Sequence, residues 1–151
     1  MNEQRNTGPG PRDMEAAGKL RTVVGRLIKL MRRETRNEEQ LSLTERAALG
    51  AIYNHGELLP SDIAKMEKVT TQSMSQVISH LFEIGYILKT ASAEDKRKVL
   101  LSLTDAGKTY VEKNRHDKEE WLAKSMHQKL SEDEREMLLS AMKLIEKLLD
   151  D

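Results

Sequence analysis

A chain of 151 residues is long enough for one ordinary domain, or for a small domain with helical extensions. With 33% charged residues, no run of about eighteen apolar residues and no apolar signal core near Met1, it is expected in the cytoplasm with no membrane partner. The absence of cysteine excludes disulfides, zinc–thiolate sites and thiol catalysis; Lys plus Arg number 25 and Asp plus Glu 25, so attraction to a polyanion must come from local patches.

Residues 1–12, "MNEQRNTGPGPR", combine Gly, Pro and Asn with almost no apolar side chains and read as a disordered leader. From Asp13 to about Asn37, Leu20, Val23, Val24, Leu27, Ile28, Leu30 and Met31 recur at three- and four-residue spacings, which predicts a long amphipathic helix. "SLTE" offers a capping box from Ser42 to Glu45 for a second helix, which carries Leu49, Ile52 and Tyr53 and ends at "NHGE". A short third helix follows Pro60, with Asp62 complementing its dipole and Ile63, Ala64 and Met66 expected inward.

Thr70 is the expected N-cap of a fourth helix that Gly85 stops, with Met74, Val77, Ile78 and Leu81 as its apolar stripe. After Gly85 the period changes to two: "YILKT" and "VLLSL" flank the polar "ASAEDKRK", a β-hairpin with a charged tip. Thr104 can cap a fifth helix to about Gln128. "SEDE", Ser131 to Glu134, opens a last helix with Leu138, Ala141, Met142, Ile145, Leu148 and Leu149 on its expected buried side.

Residues 70–81, "TTQSMSQVISHL", contain no charged residue in a chain that is one-third charged. Helix, short helix, turn, neutral helix and hairpin is the order of a winged helix-turn-helix, whose second motif helix enters the DNA major groove. There, hydroxyls and amides can bond base edges, whereas a carboxylate would be repelled by flanking phosphates. The expected reading surface is Thr70, Thr71, Gln72, Ser73, Ser75, Gln76, Ser79 and His80. In "EDKRKVLLSLT" the tip holds Arg97 between Lys96 and Lys98, where it can enter a minor groove, with Asp95 expected to orient the guanidinium through a bidentate pair.

"EDKRKVLLSLTDAG" fits the wing signature DxRxxxLxLT through Asp95, Arg97, Leu101, Leu103 and Thr104, followed by Gly107, and so resembles the MarR-type (multiple antibiotic resistance regulator) transcription factors. "SDIAKMEKVTTQSMSQVISHLFEIGYI" looks like that family's two DNA-binding helices and first wing strand; the close resemblance runs from about Leu43 to Gly107. It implies a homodimer with interlocking terminal helices, two winged helices on a pseudo-palindrome of double-stranded DNA, and a small-molecule cleft. Where many relatives carry a basic residue on the recognition helix, an arginine at the start of the wing and a glycine in the turn, this chain has Gln76, Lys89 and Lys68. Fewer arginines imply a shallower salt dependence, with Lys65, Lys68, Lys89, Lys96, Arg97 and Lys98 as a local basic rim.

The expected fold is mostly α with a small β-wing: a winged helix-turn-helix (41–104) flanked by an N-terminal (13–40) and a C-terminal (105–151) pair of dimerisation segments. The dimer also follows from the residues, because apolar stripes on three long helices have little of the same chain left to cover them. A twofold dimer would set half-sites about one helical turn, ~34 Å, apart.

Met31, Tyr53, Tyr110 and Trp121 could line a cleft for a small aromatic or phenolic effector, although each taken singly is ordinary core. His116 with Glu119 and Glu120 lies in a charge run that reads as a solvated face rather than a metal site, and no phosphate loop, triad or HExxH is present. No catalysis, metal or cofactor is expected. The reading is therefore a dimeric, ligand-responsive DNA-binding repressor; the alternative is a winged-helix dimer serving as a protein-interaction scaffold without DNA binding.

Overall fold

The computed structural model describes residues 8–35 and 41–149. Among them lie six helices and two strands: α1 (Pro11–Glu34), α2 (Leu43–His55), α3 (Pro60–Met66), α4 (Thr71–Glu83), β1 (Ile87–Ala91), β2 (Val99–Leu103), α5 (Asp105–Lys129) and α6 (Glu132–Glu146). The chain divides into two compact units, residues 37–119 and residues 1–36 with 120–151. Most of the expected leader lies outside the described residues, as does the expected end of the first helix near Asn37; α1 already begins at Pro11, within the segment read as leader.

Local capping chemistry sets the boundaries of the winged-helix unit. The Ser42 hydroxyl accepts from the Glu45 backbone N–H at 3.2 Å, while Glu45 Oε2 accepts from the Ser42 N–H at 2.6 Å, the reciprocal box that opens α2. Pro60 occupies the first turn of α3, where its missing N–H costs no helical bond. At the end of α4 the Tyr86 N–H donates to the Leu81 carbonyl (2.9 Å) and the Gly85 N–H to Phe82 (3.1 Å). This paired closure places Gly85 at φ 78°, in the left-handed region that suits glycine.

α3 ends with the same closure, Val69 N–H to Ala64 at 3.0 Å and Lys68 N–H to Lys65 at 3.3 Å, but the left-handed position is held by Lys68 at φ 53°. A lysine there bears the Cβ–carbonyl crowding that glycine escapes. The turn between α3 and α4 is thus built to the expected geometry with a strained residue.

The core of this unit gathers Ala48, Leu49 and Ile52 from α2, Ile63 and Ala64 from α3, Met74, Ile78 and Leu81 from α4, Ile87 and Leu101 from the hairpin, and Tyr110 and Val111 from α5. Complete burial of Leu49, Ile63, Met74, Leu81, Ile87 and Leu101 contributes about 1.5–3 kcal/mol each. Met66, expected inward, is 46% exposed. At about 100° per residue it lies some 200° around the helix from buried Ala64, so a helix of under two turns cannot bury both.

β1 and β2 pair antiparallel with Ile87 opposite Leu103, Lys89 opposite Leu101 and Ala91 opposite Val99. A third chain segment, unmarked in the sequence reading, joins them: Leu58 and Leu101 exchange backbone hydrogen bonds of 3.1 and 2.8 Å as an isolated bridge. The far edge of β2 is thereby paired at its middle.

In the other unit, Ser131 and Glu134 form the second reciprocal box, at 3.2 and 2.8 Å, and open α6. No residue of α1 or α6 is buried. The α6 stripe expected to be buried is half-buried at Leu138, Ala141 and Ile145 and exposed at Met142, Leu148 (70%) and Leu149 (78%). The stripe is real as a pattern, but among the described residues its outer positions stay uncovered.

Candidate nucleic-acid interface

α4 buries Met74, Ile78 and Leu81 and half-buries Val77, which fixes what its opposite side presents. Gln72, Ser73, Gln76, Ser79 and His80 fall within an arc of about 120° on that side. These residues, with Thr70, Thr71 and Ser75, are all exposed. They are not equivalent. Thr70 Oγ1 accepts from the Ser73 N–H (3.1 Å) and bonds the Ser73 hydroxyl (2.9 Å), and Ser75 donates back to the Thr71 carbonyl (2.9 Å). Those hydroxyls serve the helix itself, leaving Gln72, Gln76 and Ser79 as the polar groups best placed to bond a ligand. An amide that both donates and accepts suits adenine edges in a major groove.

In the wing, the Lys98 N–H donates to the Asp95 carbonyl (2.8 Å) and the Ser92 N–H to Lys98 (2.9 Å), closing the tip. The Asp95 carboxylate accepts from the backbone N–H of Arg97 at 3.0 Å. The bidentate pair with the Arg97 guanidinium expected from the sequence does not form among the described residues. The reason is distance along the chain: two residues apart in a turn, a short aspartate side chain reaches the next-but-one N–H more easily than a long side chain folding back. Asp95 therefore shapes the tip that carries Lys96, Arg97 and Lys98.

Lys65, Lys68, Lys89, Lys96, Arg97 and Lys98 are exposed, and none is held in an ion pair among the described residues. Lys89 lays its ammonium over the Phe82 ring, 4.5 Å from the centroid. A cation so placed still offers its charge outward while its stem covers an exposed aromatic face.

One contact at this surface escaped the sequence reading. His80 Nδ1 lies 2.5 Å from Glu45 Oε1, joining α4 to the first turn of α2. Burial works against ionisation of Glu45. The Ser42 backbone N–H, hydrogen bonds from His80 and the Ser42 side chain, and the His80 charge outweigh it, holding the carboxyl below the usual glutamate range. The only sequence signal was a Glu whose capping role explains one carboxylate oxygen and not the other.

The residues suggested for an effector cleft fall in both units, Tyr53 and Tyr110 in one, Met31 and Trp121 in the other. Tyr110 is core and stacks on Tyr86 with ring centroids 5.1 Å apart. Tyr53 is half-buried beneath the Arg115 guanidinium (4.5 Å) and donates to Glu112 at 3.1 Å, while Arg115 donates to Asn54 at 2.7 Å. Trp121 and Met31 are half-buried.

Residues 41–99 match the MarR family profile. The HTH-type transcriptional regulator MT0903.1 of Mycobacterium tuberculosis (strain CDC 1551 / Oshkosh) is 33% identical over 140 residues, 92% of this chain and 96% of its own, and ML2140 of Mycobacterium leprae (strain TN) is 32% identical over the same spans. A transcriptional regulator from Pseudomonas aeruginosa PA01 superimposes with a TM-score of 0.82 at 30% identity, covering 95% of this chain and 99% of that one. Streptococcus pneumoniae FabT, crystallised in complex with DNA, shares the fold at a TM-score of 0.63 and 19% identity, covering 90% and 96%. With relatives this similar along nearly their whole length, and a capped helix free of Asp, Glu, Lys and Arg from Thr71 to Phe82 beside a basic wing, the chain belongs to the MarR family: a non-enzymatic transcriptional regulator with a DNA-binding winged helix.

Proposed function

We propose that the protein is a dimeric repressor that reads a pseudo-palindromic operator and is released by a small aromatic or phenolic effector. The observation that carries the reading is the division of α4: an apolar side packed into the core, and an opposite side that from Gln72 to His80 presents exposed amides, hydroxyls and an imidazole with no Asp, Glu, Lys or Arg, Glu83 entering only at the last residue. Gln72 and Gln76 would read base edges, Ser79 and His80 would lie nearer the strand backbone, and Arg97 would reach the adjacent minor groove from the wing. The fold neighbour crystallised with DNA supports this use of the scaffold.

A second copy of this chain is the natural cover for the exposed stripes of α1 (Val23, Val24, Leu27, Ile28) and of α6 with the turn that follows it (Met142, Leu144, Leu148, Leu149). Pairing through these helices sets two reading heads on one face of the duplex. An effector would act by favouring one spacing of the heads over another, and only to the extent of its differential affinity for the two.

Selection of bound fragments from a random duplex pool tests the reading. Two inverted half-sites about one helical turn apart are expected, at ~34 Å. Enrichment of no sequence, together with light scattering from a monomer at micromolar concentration, would overturn it.

A further inference from the structure

Glu45 is 8% exposed, and only one of its carboxylate oxygens is needed to cap α2. The other meets Nδ1 of His80, whose side chain is 49% exposed and lies one and two helical turns beyond Gln76 and Ser73. An ionised carboxylate can only accept, so Nδ1 must carry a proton. A neutral imidazole then has a lone pair at Nε2, whereas an imidazolium has a second N–H there. A phosphate oxygen, itself only an acceptor, is bonded by the second form and repelled by the first.

α4 packs against α2, α3 and β1. Their charged and titratable groups are Glu45, Arg46, Tyr53 and His55 on α2, Asp62 and Lys65 on α3, and Lys89 on β1, with Glu83 on α4 itself. Among the described residues the bond to His80 comes from Glu45, and Lys89 is placed over Phe82. In a recognition helix the N-terminal residues approach base edges, which leaves a residue of the last turn beside the sugar–phosphate strand.

Resting on the DNA-binding reading above, we propose that Glu45 is a positioning residue for His80: it fixes the Nδ1–H form and makes the contact of Nε2 with a backbone phosphate depend on a second proton. Duplex affinity then rises on acidification as Nε2 gains its proton, by up to about tenfold per pH unit for each reading head.

Glu45→Gln separates this from a structural role. Glutamine retains the capping box, using its oxygen for the Ser42 N–H and turning its NH2 toward Nδ1. A donor at that place requires a lone pair on Nδ1, so neutral His80 switches to the Nε2–H form and offers the phosphate a donor without a second proton. E45Q should therefore bind duplex DNA more tightly than the wild type at pH 8, with a flat profile down to pH 6.

The test combines long-range proton–nitrogen spectra of the imidazole rings, with His80 assigned by its loss in H80Q, and fluorescence anisotropy with a labelled mixed-sequence duplex at constant ionic strength. H80Q subtracts the titration of the other histidines. An Nδ1–H to Nε2–H switch in E45Q and a pH-dependence lost in both variants are expected. The same tautomer in wild type and E45Q, or superimposable binding profiles, would overturn the assignment. Absence of duplex binding by every variant at every pH would overturn the DNA-binding reading and the phosphate contact with it, while a tautomer switch would still stand as the property of Glu45.

Discussion

Replacing Gly107 with alanine asks whether the start of α5 is as tightly locked to the wing as the geometry requires. A Cβ at this position would lie 2.1 Å from the Tyr86 carbonyl oxygen, 2.9 Å from its carbon and 3.2 Å from its Cα, all backbone atoms with no rotamer through which to retreat. Restoring an ordinary contact moves helix and strand apart by more than ~1 Å. That displacement pulls on three bonds: Thr104 N–H to Tyr86 (3.1 Å), the Thr104 hydroxyl to the Gly85 carbonyl (2.7 Å) and the Gly107 N–H to Thr104 Oγ1 (3.0 Å). Overpacking costs about 1–3 kcal/mol and each weakened hydrogen bond up to ~1.5, against a gain of up to ~1 from alanine's helix propensity. The expected net loss is about 2–4 kcal/mol.

Gly50→Ala is the matched control, because it lies within α2 and a Cβ there meets nothing within 4 Å. It should stabilise by ~0.5–1 kcal/mol. Urea denaturation followed by circular dichroism, at one protein concentration for all variants, measures both. If G107A lies within about 0.5 kcal/mol of the wild type, or gains as G50A does, the close approach is not the constraint inferred here.

Lys68→Gly removes the crowding of a left-handed lysine from the α3–α4 turn and should raise stability by about 1 kcal/mol; an unchanged urea midpoint would count against strain at that residue. Arg97→Ala should weaken duplex binding across all sequences and lower the slope of log affinity against log salt by about one per reading head, whereas a protein-interaction scaffold would lose nothing in the same titration. Gln72→Ala should relax selectivity at one base position of a selected operator, at a cost of ~1–3 kcal/mol against the preferred base, while leaving non-specific affinity nearly intact. The Glu45 carboxyl is held below its ordinary range in the folded chain, so its contribution to stability is complete above the unfolded value and fades as pH falls through the folded one. Urea midpoints of wild type and E45Q should accordingly converge as pH falls below the ordinary glutamate range; a constant gap would show that the carboxyl is not the titrating group.

Much of the fold is legible in the sequence because its determinants are local. Ser42 with Glu45, Thr70 with Ser73, Thr104 with Gly107 and Ser131 with Glu134 are caps that close within three residues, and all four form as read. The hairpin's change to a period of two and the stop at Gly85 are equally short-range. Even the resemblance in the turn carried information, since Lys68, at the position where it implies a glycine, adopts a glycine-like φ. The exposed polar side of α4 was legible for a related reason: at helical spacing, an apolar stripe dictates the opposite face.

Tertiary packing decided what depends on residues far apart in the chain or on a side chain's choice among local partners. His80 meets Glu45 across 35 residues, and Leu58 bridges to Leu101 from a loop that carries no strand pattern. Asp95 turned to a backbone N–H instead of a guanidinium, and Met66 pointed outward once Ile63 and Ala64 had claimed the core. Gly107 was conspicuous as a letter in a motif, but only the approach of α5 to Tyr86 explains why no side chain fits there. Capping and periodicity are energies between neighbours, written in the order of the residues; burial, proton placement and steric exclusion are energies between surfaces, which exist only once the helices have met.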